Sequence, residues 1–351
     1  MKVLLYTDVH FCTYSSIVRN RGSKYSVRLE NLIRSVNWAE NLADEENCDF
    51  IICLGDFFDK PELTAEELTA LKDIKWSTIP HKFIVGNHEM ASNDLTYNSM
   101  NALSKIGIVI DKPDFDVGFG YRLVYLPYVL NSNRKLISDY ISEMYDKESN
   151  MWETQEYKHT IILSHNDISG LRYGKYMSTS GFDINDIDSN CDLFINGHLH
   201  NQQQVTDKIL NLGNLTGQNF SEDAEKYSHC AAILDTDTLK INLINNPHAL
   251  NFYKFDILSE SDFSKFDKCK DNSVISIRTY QSLSDKLKVY LSNLNTIINY
   301  RLITIPEVIK IDKSESINQL ITTDHIKQFK DYILENIENS TILNDELSLL
   351  V

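Results

Sequence analysis

Short apolar runs alternate with stretches of helical periodicity along the first two thirds of the chain, and the runs predict buried strands. The predicted strands are 2–6, 50–54, 81–85, 108–110, 121–126, 160–163 and 193–195. The helices predicted around and between them lie at about 25–43, 61–72, 94–106 and 134–145, with Thr64 as a candidate N-cap. Residues 204–244 alternate like antiparallel strands. This order predicts an α/β layered sandwich.

The pattern changes near Pro247 and predicts two further parts of the chain. Strands at 253–257, 274–277 and 303–305, with a helix at 283–294, indicate a small second domain. The remaining residues are polar with a partial apolar stripe, and a short amphipathic tail cannot bury its own face. We therefore predict three domains, at 1–250, 251–312 and 313–351, and expect the tail to dock on the body or on a partner.

Composition restricts the functional classes. The net charge of −16 argues against passive binding to a polyanion, which depends on lysine and arginine. No run reaches the roughly 18 apolar residues of a membrane helix. The chain starts directly on a strand, so we expect no signal peptide and no membrane association. Six scattered cysteines without a Cys-x-x-Cys pair favour reduced thiols and a cytoplasmic location.

Each of five predicted buried strands ends in a loop that carries Asp, His or Asn. These loop residues are Asp8 and His10, Asp56 and Asp59, Asn87 and His88, His165, and His198 with His200. In open α/β sheets, sites form beyond the strand ends, where such loops converge. The sequence therefore predicts one site built from five distant parts of the chain.

The donors in these loops suit metal ions. Oxygen donors (Asp8, Asp56, Asn87) mixed with imidazoles fit two adjacent divalent ions, and the mixture favours Mn, Fe or Zn over Ca or Mg. Seven side chains fill four protein places on each ion if one carboxylate bridges. Two metals about 3.5–4 Å apart hold the attacking and leaving oxygens of an in-line displacement at phosphorus, which predicts phosphoester hydrolysis.

The ordered motifs D-x-H, G-D-x-x-D, G-N-H-[DE], H and G-H-x-H resemble those of the calcineurin-like metallophosphoesterases over about residues 1–245. This resemblance implies a four-layer αββα sandwich, here with a small α/β capping domain and a C-terminal helical tail. Length, motif order and appended domains resemble the SbcD nuclease, the nuclease half of the Mre–Rad type repair complex. Residues 170–223 are similar to the recombination endonuclease subunit of T-even phages.

The resemblance also implies roles for the loop residues. It places Asp8, His10, Asp56 and His200 on one metal, and Asp56, Asn87, His165 and His198 on the other. It makes His88 the residue that stabilises or protonates the departing oxygen, and Asp59 the carboxylate that orients His88. We expect both metals to be Mn²⁺.

The implied partners are DNA, an SbcC/Rad-type ATPase whose coiled coil is gripped by helices in 313–351, and a second copy of the chain. Helices 64–72 and 94–106 form the dimer face in this interpretation, or else simply cover the sheet. The chain then works in the cytoplasm, that of the host if a phage encodes it. The candidate DNA contacts are basic residues near the site, which could equally lie on solvated loops: Arg19, Arg21, Lys24, Arg172 and Lys175.

One residue departs from the nuclease pattern. Glu89 stands where nuclease relatives carry Asp, and Gly-Asn-His-Glu also occurs in Ser/Thr protein phosphatases. Those enzymes lack G-H-x-H and carry Arg where this chain has Lys60. A DNA nuclease and a stand-alone phosphoesterase acting on small molecules or phosphoproteins therefore both stay open. The acidic charge favours the phosphoesterase, and the cap and tail favour the nuclease. A regulatory subunit with an inactive site is a third, weaker alternative.

Overall fold

Strands dominate the part of the chain that the structure, a computed structural model, describes: residues 1–118, 120–149, 158–173 and 176–307. The strands, in chain order, are β1 (Lys2–Tyr6), β2 (Phe50–Cys53), β3 (His81–Ile84), β4 (Met90–Ala91), β5 (Asp94–Asn98), β6 (Gly107–Ile110), β7 (Asp114–Gly118), β8 (Tyr121–Leu126), β9 (His159–Ser164), β10 (Arg172–Tyr173), β11 (Tyr176–Met177), β12 (Leu193–Asn196), β13 (Gln203–Gln204), β14 (Ile209–Asn211), β15 (Cys230–Asp235), β16 (Lys240–Asn245), β17 (Asn251–Ile257), β18 (Ser273–Tyr280) and β19 (Ile297–Ile305).

Helices connect these strands. The α-helices are α1 (Val27–Glu45), α2 (Ala65–Ala70), α3 (Ile137–Ser149), α4 (Ile184–Asn190) and α5 (Ser284–Leu291). Short 3₁₀ segments lie at Leu71–Asp73, Ser99–Leu103, Asn131–Asn133, Glu260–Lys268 and Gln281–Leu283.

Two six-stranded sheets form the centre of the molecule. The first has the order β16-β15-β1-β2-β3-β6, and the second has the order β13-β14-β12-β9-β8-β7. Strands β1, β2, β3 and β6 are mutually parallel, as are β14, β12, β9 and β8. The strands that precede the predicted site loops are therefore neighbours within each sheet, with their carboxyl ends at the same edge.

The apolar runs of the sequence become strands that are buried on both faces, as parallel sheets covered on both sides require. Val3 and Leu5 of β1 pack between the sheets with Leu163 and Ile195 of the second sheet. Leu4 points to the other side of the first sheet and packs in the core that α1 covers. Alternate residues of one strand thus belong to two different cores.

Helices cover the outer face of each sheet. On the first sheet, α1 buries Leu32 and Val36, and its N-terminus is capped by Ser26, whose side chain accepts the Leu29 N–H. On the second sheet, α3 and α4 bury residues such as Tyr140 and Ile187. The layers are helix, sheet, sheet and helix, which confirms the predicted four-layer αββα sandwich.

A smaller sheet follows the sandwich, and we call β17–β19 with α5 the small sheet region. Its order is β17-β18-β19, all parallel. Ile275 and Ile277 of β18 pack against Leu287 and Leu291 of α5. The strands are longer than predicted. The largest difference is in β19, because polar residues in its first half hid the start of the strand in the sequence.

Two helix predictions need correction. The prediction of a helix at 94–106 is wrong, because β5 is followed by the 3₁₀ segment Ser99–Leu103, capped where Asn98 accepts the Asn101 N–H. Thr96 and Tyr97 favour extended backbone, and half of the proposed dimer face is therefore not helical. The helix predicted at 61–72 is shorter and begins after Thr64, which is the N-cap as predicted and also forms a capping box with Glu67.

The chain divides into two compact units, Met1–Ile305 and Pro306–Val351. The predicted tail at 313–351 lies outside the described residues, and the division into three domains stays a prediction. All six cysteines are free and buried.

Within the described ranges, the helices are too short or too polar to cross a bilayer.

Candidate metal centre

The loops after β1, β2, β3, β9 and β12 bring their polar side chains together. Four of these residues have a left-handed backbone, with φ of 51° at Asp8, 48° at His10, 49° at Asp56 and 72° at His198. Such values are uncommon outside glycine and persist only where the surrounding structure holds them, often at functional sites. Four strained backbone positions therefore lie within this one cluster.

Two glycines allow the loops to approach closely. A Cβ atom on Gly86 would lie 2.2 Å from Asp56 Oδ1, and one on Gly197 would lie 2.2 Å from Thr7 Oγ1. Both distances are far below van der Waals contact, so a larger residue at either position would displace a loop of the site. The glycine in each motif is thus required by packing between different loops.

The first group of metal-ligand type comprises Asp8, His10 and His200. The Nε2 atoms of His10 and His200 are 3.1 Å apart, and they lie 3.8 and 4.0 Å from Asp8 Oδ1. The other oxygen of Asp8 accepts hydrogen bonds from the Thr7 hydroxyl and the His198 N–H, at 2.7 and 2.9 Å. Asp8 is therefore oriented so that Oδ1 faces the two imidazoles.

The second group comprises Asp56, His165 and His198. His165 Nε2 is 3.1 Å from Asp56 Oδ2, and Asn87 Oδ1 is 2.9 Å from His198 Nδ1. Asp56 Oδ2 is also 3.8 Å from His10 Nε2, so this oxygen lies between the two groups. That position is the one that the predicted bridging role requires.

The cluster contains buried polar atoms that cations would satisfy. Asp8 Oδ1 and His165 Nε2 are buried and make no hydrogen bond of good geometry among the described residues, and the nearest partner of His165 Nε2 is the Asp56 oxygen at 3.1 Å. Leaving such atoms unpaired is costly. His165 Nδ1 donates to the Leu54 carbonyl at 2.6 Å, so Nε2 is the nitrogen left to bind an ion. The cluster offers three oxygen donors, from Asp8, Asp56 and Asn87, and four imidazoles. This set of donors fits two divalent ions.

His88 lies beside this cluster. It forms a third group with His10 and Asp56, and its ring meets the His10 ring edge-on at 4.5 Å. Its Nδ1 donates to the Asp59 carbonyl at 2.8 Å, and 41% of its side chain is exposed. The Asp59 carboxylate lies 3.1 Å from His10 Nδ1 and 3.9 Å from His88 Nδ1. Asp59 thus positions His88 through its carbonyl and His10 through its carboxylate, a second contact that the sequence did not indicate.

Glu222 supports the site, and sequence reasoning missed it. Its Oε1 accepts from His200 Nδ1 at 2.8 Å, and Oε2 accepts from Gln218 N at 2.7 Å and Asn214 Nδ2 at 3.0 Å. The residue is only 1% exposed. A carboxylate behind a ligating imidazole fixes its tautomer and orientation. No motif precedes Glu222, so only the folded chain reveals this contact.

Two further acidic residues lie behind the ligands. Asp167 Oδ1 is 3.2 Å from His198 Nε2. Its position two residues after His165 is the one feature of the sequence that could have pointed to it. Buried Glu89 accepts the backbone N–H groups of Asp56, Phe58 and Gly86 at 3.2, 2.8 and 2.8 Å. The longer Glu at this motif position thus ties two site loops together.

The charges of the cluster shift its pKa values strongly. Burial raises the pKa of Asp8, but the surrounding imidazoles outweigh burial and lower it to about 2. Burial lowers the pKa values of His10 and His165, but nearby carboxylates outweigh it and raise them to about 10 and about 9. For Glu89, burial and the charge of Asp56 together raise the pKa to about 8. The ligand carboxylates are therefore ionised at neutral pH, and the histidines compete for protons as well as for metal.

We expect metal affinity to rise with pH. Both histidine pKa values are raised, so at pH 7 each imidazole holds a proton after metal removal by a chelator. A metal ion binds only the neutral imidazole, so binding displaces the proton. For each proton displaced, the affinity for the metal rises about tenfold per pH unit. Calorimetric Mn²⁺ titrations at pH 6.5 and 8.5, in two buffers of different ionisation enthalpy, would measure the proton release. Equal affinity at both pH values would contradict this expectation.

Glu222→Gln should weaken metal binding on the His200 side by about 10- to 100-fold, since the amide cannot hold the imidazole as a carboxylate does. Calorimetric titration with Mn²⁺ measures the effect. Glu225→Gln is the matched control, because Glu225 lies on the same loop but pairs with Lys268 at the surface, at 3.3 Å. The same loss of affinity in both variants, or in neither, would contradict the role of Glu222.

The basic residues proposed as DNA contacts have varied surroundings. Arg21 pairs with Glu66 at 3.0 Å, and Lys24 pairs with Asp73 at 2.6 Å. Arg19 donates to the Ser16 carbonyl at 2.9 Å. Arg172 begins β10, and Lys175 lies outside the described residues. Their contact with DNA stays a prediction, and two of the five would first have to leave an acidic partner.

Sequence comparison agrees with this geometry. A sequence model of the calcineurin-like phosphoesterase family matches residues 1–202, which include all seven predicted ligands. The chain therefore belongs to the calcineurin-like phosphoesterase family, whose members use a dinuclear divalent metal site. The fold and site define a metal-dependent phosphoester hydrolase.

Several solved structures are similar to the chain. A protein of Thermus thermophilus is 8% identical, with a TM-score of 0.40 over 70% of this chain and 98% of that one. A dimetal phosphatase from Danio rerio is 13% identical, with a TM-score of 0.38 over 66% and 91%. A metallophosphoesterase from Sphaerobacter thermophilus is 15% identical, with a TM-score of 0.28 over 70% and 88%. No curated protein matches the chain closely in sequence.

Proposed function

We propose that the chain is a Mn²⁺-dependent DNA nuclease and the nuclease subunit of an SbcCD or Mre–Rad-like repair and recombination complex. The observation that carries the hydrolytic part is the convergence of seven ligand-type side chains on two adjacent groups, with buried Asp8 Oδ1 and His165 Nε2 left for cations. The nuclease part depends on the motif resemblance and on the small sheet region that follows the family match.

The chain's own groups have separate tasks in this reaction. When two divalent ions are bound, they supply Lewis-acid stabilisation of the charge that develops during in-line displacement at phosphorus. His88 Nδ1–H donates to the Asp59 carbonyl, which leaves Nε2 facing outward. In the imidazolium form, Nε2–H would give its proton to the departing oxygen and leave the neutral ring protonated at Nδ1. Glu222 and Asp167 keep His200 and His198 aimed at the cluster. Four imidazoles beside three oxygen donors favour Mn²⁺ over Mg²⁺.

The small sheet region supports a substrate larger than a small phosphoester. Asn299 of β19 donates to the Ile17 carbonyl at 2.9 Å, and Ile17 follows the first metal loop. Val18 packs with Phe252 and Val274 of the same sheet. The small sheet region therefore packs against the segment that follows a metal loop, where it could contact a polymer that extends beyond the scissile bond.

The net charge of −16 favours a second candidate, a stand-alone phosphoesterase that acts on small-molecule or protein phosphoesters. An acidic surface repels a polyanion, so such an enzyme would need no basic partner to hold its substrate. This candidate requires the same metal centre and the same role for His88. The two proposals therefore share one catalytic site and differ in substrate and in partner.

The experiment that separates them incubates the purified chain and Mn²⁺ with single-stranded, blunt and overhanging DNA, and separately with 4-nitrophenyl phosphate. We expect cleavage of DNA, abolished by chelator and absent from Asp8→Asn, a control that excludes a contaminating nuclease. Hydrolysis of the aryl phosphate with intact DNA, both with and without an SbcC/Rad-type ATPase, would instead establish the second candidate.

We further propose that residues 313–351 bind the ATPase. Deleting them should leave metal-dependent hydrolysis at the wild-type rate, because all seven predicted ligands belong to the unit Met1–Ile305. The same deletion should abolish binding of the ATPase in a pull-down. Capture that is unaffected by the truncation would remove this role from the tail.

A further inference from the structure

A cavity of about 620 Å³ lies near the metal centre, and none of its lining residues is a predicted metal ligand. Its apolar lining includes Leu95, Pro113, Tyr128, Leu130 and Tyr140. Cavities that bind small organic groups typically have about 300–1,000 Å³. Polar and charged residues make up about half of the wall, so the cavity suits a planar group that carries both an apolar face and hydrogen-bonding edges.

Tyr128 separates this cavity from the metal ligands. Its ring centroid is 5.8 Å from that of His198, with the rings tilted by 43°. Its N–H donates to the Val85 carbonyl at 3.0 Å, at the end of the strand that leads to Asn87. Met90, two residues after His88, also lines the cavity. A group in the cavity that contacts Tyr128 would therefore be one side chain away from His198.

The charged residues of the cavity select against a phosphate as its occupant. Three carboxylates line it, from Asp94, Asp111 and Glu143, against two lysines. One of those lysines, Lys135, is paired with Glu143. Asp111 makes no hydrogen bond or ion pair within the part of the chain that the structure describes. Carboxylates repel phosphate but accept hydrogen bonds from amino groups, and an aromatic wall stacks on a planar ring.

We propose that this cavity holds one unpaired nucleobase of the substrate strand, next to the phosphate that is cleaved, stacked on Tyr128. The inference deepens the proposed nuclease function and rests on it, because it names the part of the nucleic acid that a second site recognises. A base has the required flat face and, in adenine, cytosine and guanine, the amino groups. The site thus selects a strand whose base has left its duplex, in the way that stacking platforms recognise single strands.

The test uses single-stranded oligonucleotides that carry one abasic residue at successive positions, with cleavage of every bond resolved on a gel. For the wild-type protein in Mn²⁺, we expect the missing base to slow cleavage of one adjacent bond by about tenfold, which corresponds to the loss of one stacked base. In Tyr128→Leu, intact and abasic strands should be cleaved at about the same rate. In Tyr128→Phe, which keeps the ring, the difference between them should persist.

Leu130→Ala serves as a second variant, because it widens the same cavity without altering the ring, and it should reduce the difference partly. Metal content of each variant, measured by atomic emission, reports on intact folding. Wild-type cleavage that ignores the abasic residue, or an unchanged difference in Tyr128→Leu, would overturn the inference and leave the nuclease function standing. A wild-type protein that does not cleave any of the oligonucleotides would overturn both.

Discussion

His88→Ala should retain both metal ions and lose hydrolysis by about 10²- to 10⁴-fold, the usual contribution of a general acid. The reason is positional, since His88 Nδ1 is held by the Asp59 carbonyl while the ring borders His10 and Asp56. Atomic emission measures the metal content, and initial rates with 4-nitrophenyl phosphate or DNA measure the turnover. The largest loss is expected with the substrate whose leaving group most needs a proton.

The control for this variant is His159→Ala. His159 lies away from the site, and among the described residues its ring hydrogen-bonds to the Asp237 carbonyl alone, at 3.2 Å. His159→Ala should keep both metal and activity. Because His88 lies close enough to His10 and Asp56 to serve as a ligand, loss of one ion from His88→Ala would show that it binds metal and would contradict the assignment as acid.

Asp56→Asn should lose affinity for both metals, by more than about 100-fold, and with it all measurable hydrolysis. Asp56 is 1% exposed, and its Oδ2 lies 3.1 Å from His165 Nε2 and 3.8 Å from His10 Nε2, one nitrogen from each group. Removing its charge therefore affects both ions, whereas loss of a ligand to one ion leaves the other. Calorimetric Mn²⁺ titration of the variant measures the number and affinity of the remaining sites.

Asp285→Asn is the matched control for the Asp56 variant, since Asp285 lies at the start of α5 with its side chain 92% exposed. It should bind two ions as the wild-type chain does. An Asp56→Asn protein that still binds one ion with wild-type affinity would contradict the bridging position and place Asp56 on one metal alone.

The sequence predicted which side chains the fold brings together, because the signals for them are local. Each ligand follows an apolar run directly, and Gly55, Gly86 or Gly197 ends three of those runs. Parallel neighbouring strands then bring the loop ends to one edge, as the sheet orders do here. The order of the motifs and the positions of the strand ends in the sequence were therefore enough to predict which side chains meet.

The residues that support the ligands could not be found in this way. Glu222 reaches His200 across 22 positions, and Tyr128 reaches His198 across 70. Such contacts depend on how loops fold over the sheet edge and leave no periodicity or motif in the sequence. The helix prediction for 94–106 was wrong for a related reason. The spacing of its apolar residues is compatible with a helix, but Asn98 ends a strand and caps a 3₁₀ turn.

The most direct test of the central claim is a crystal of the chain soaked in Mn²⁺ and measured for anomalous scattering. Two peaks, about 3.5–4 Å apart, are expected between the seven ligand side chains, with Asp56 in contact with both. An empty pocket at saturating Mn²⁺, or a single ion coordinated by residues outside these loops, would contradict the account.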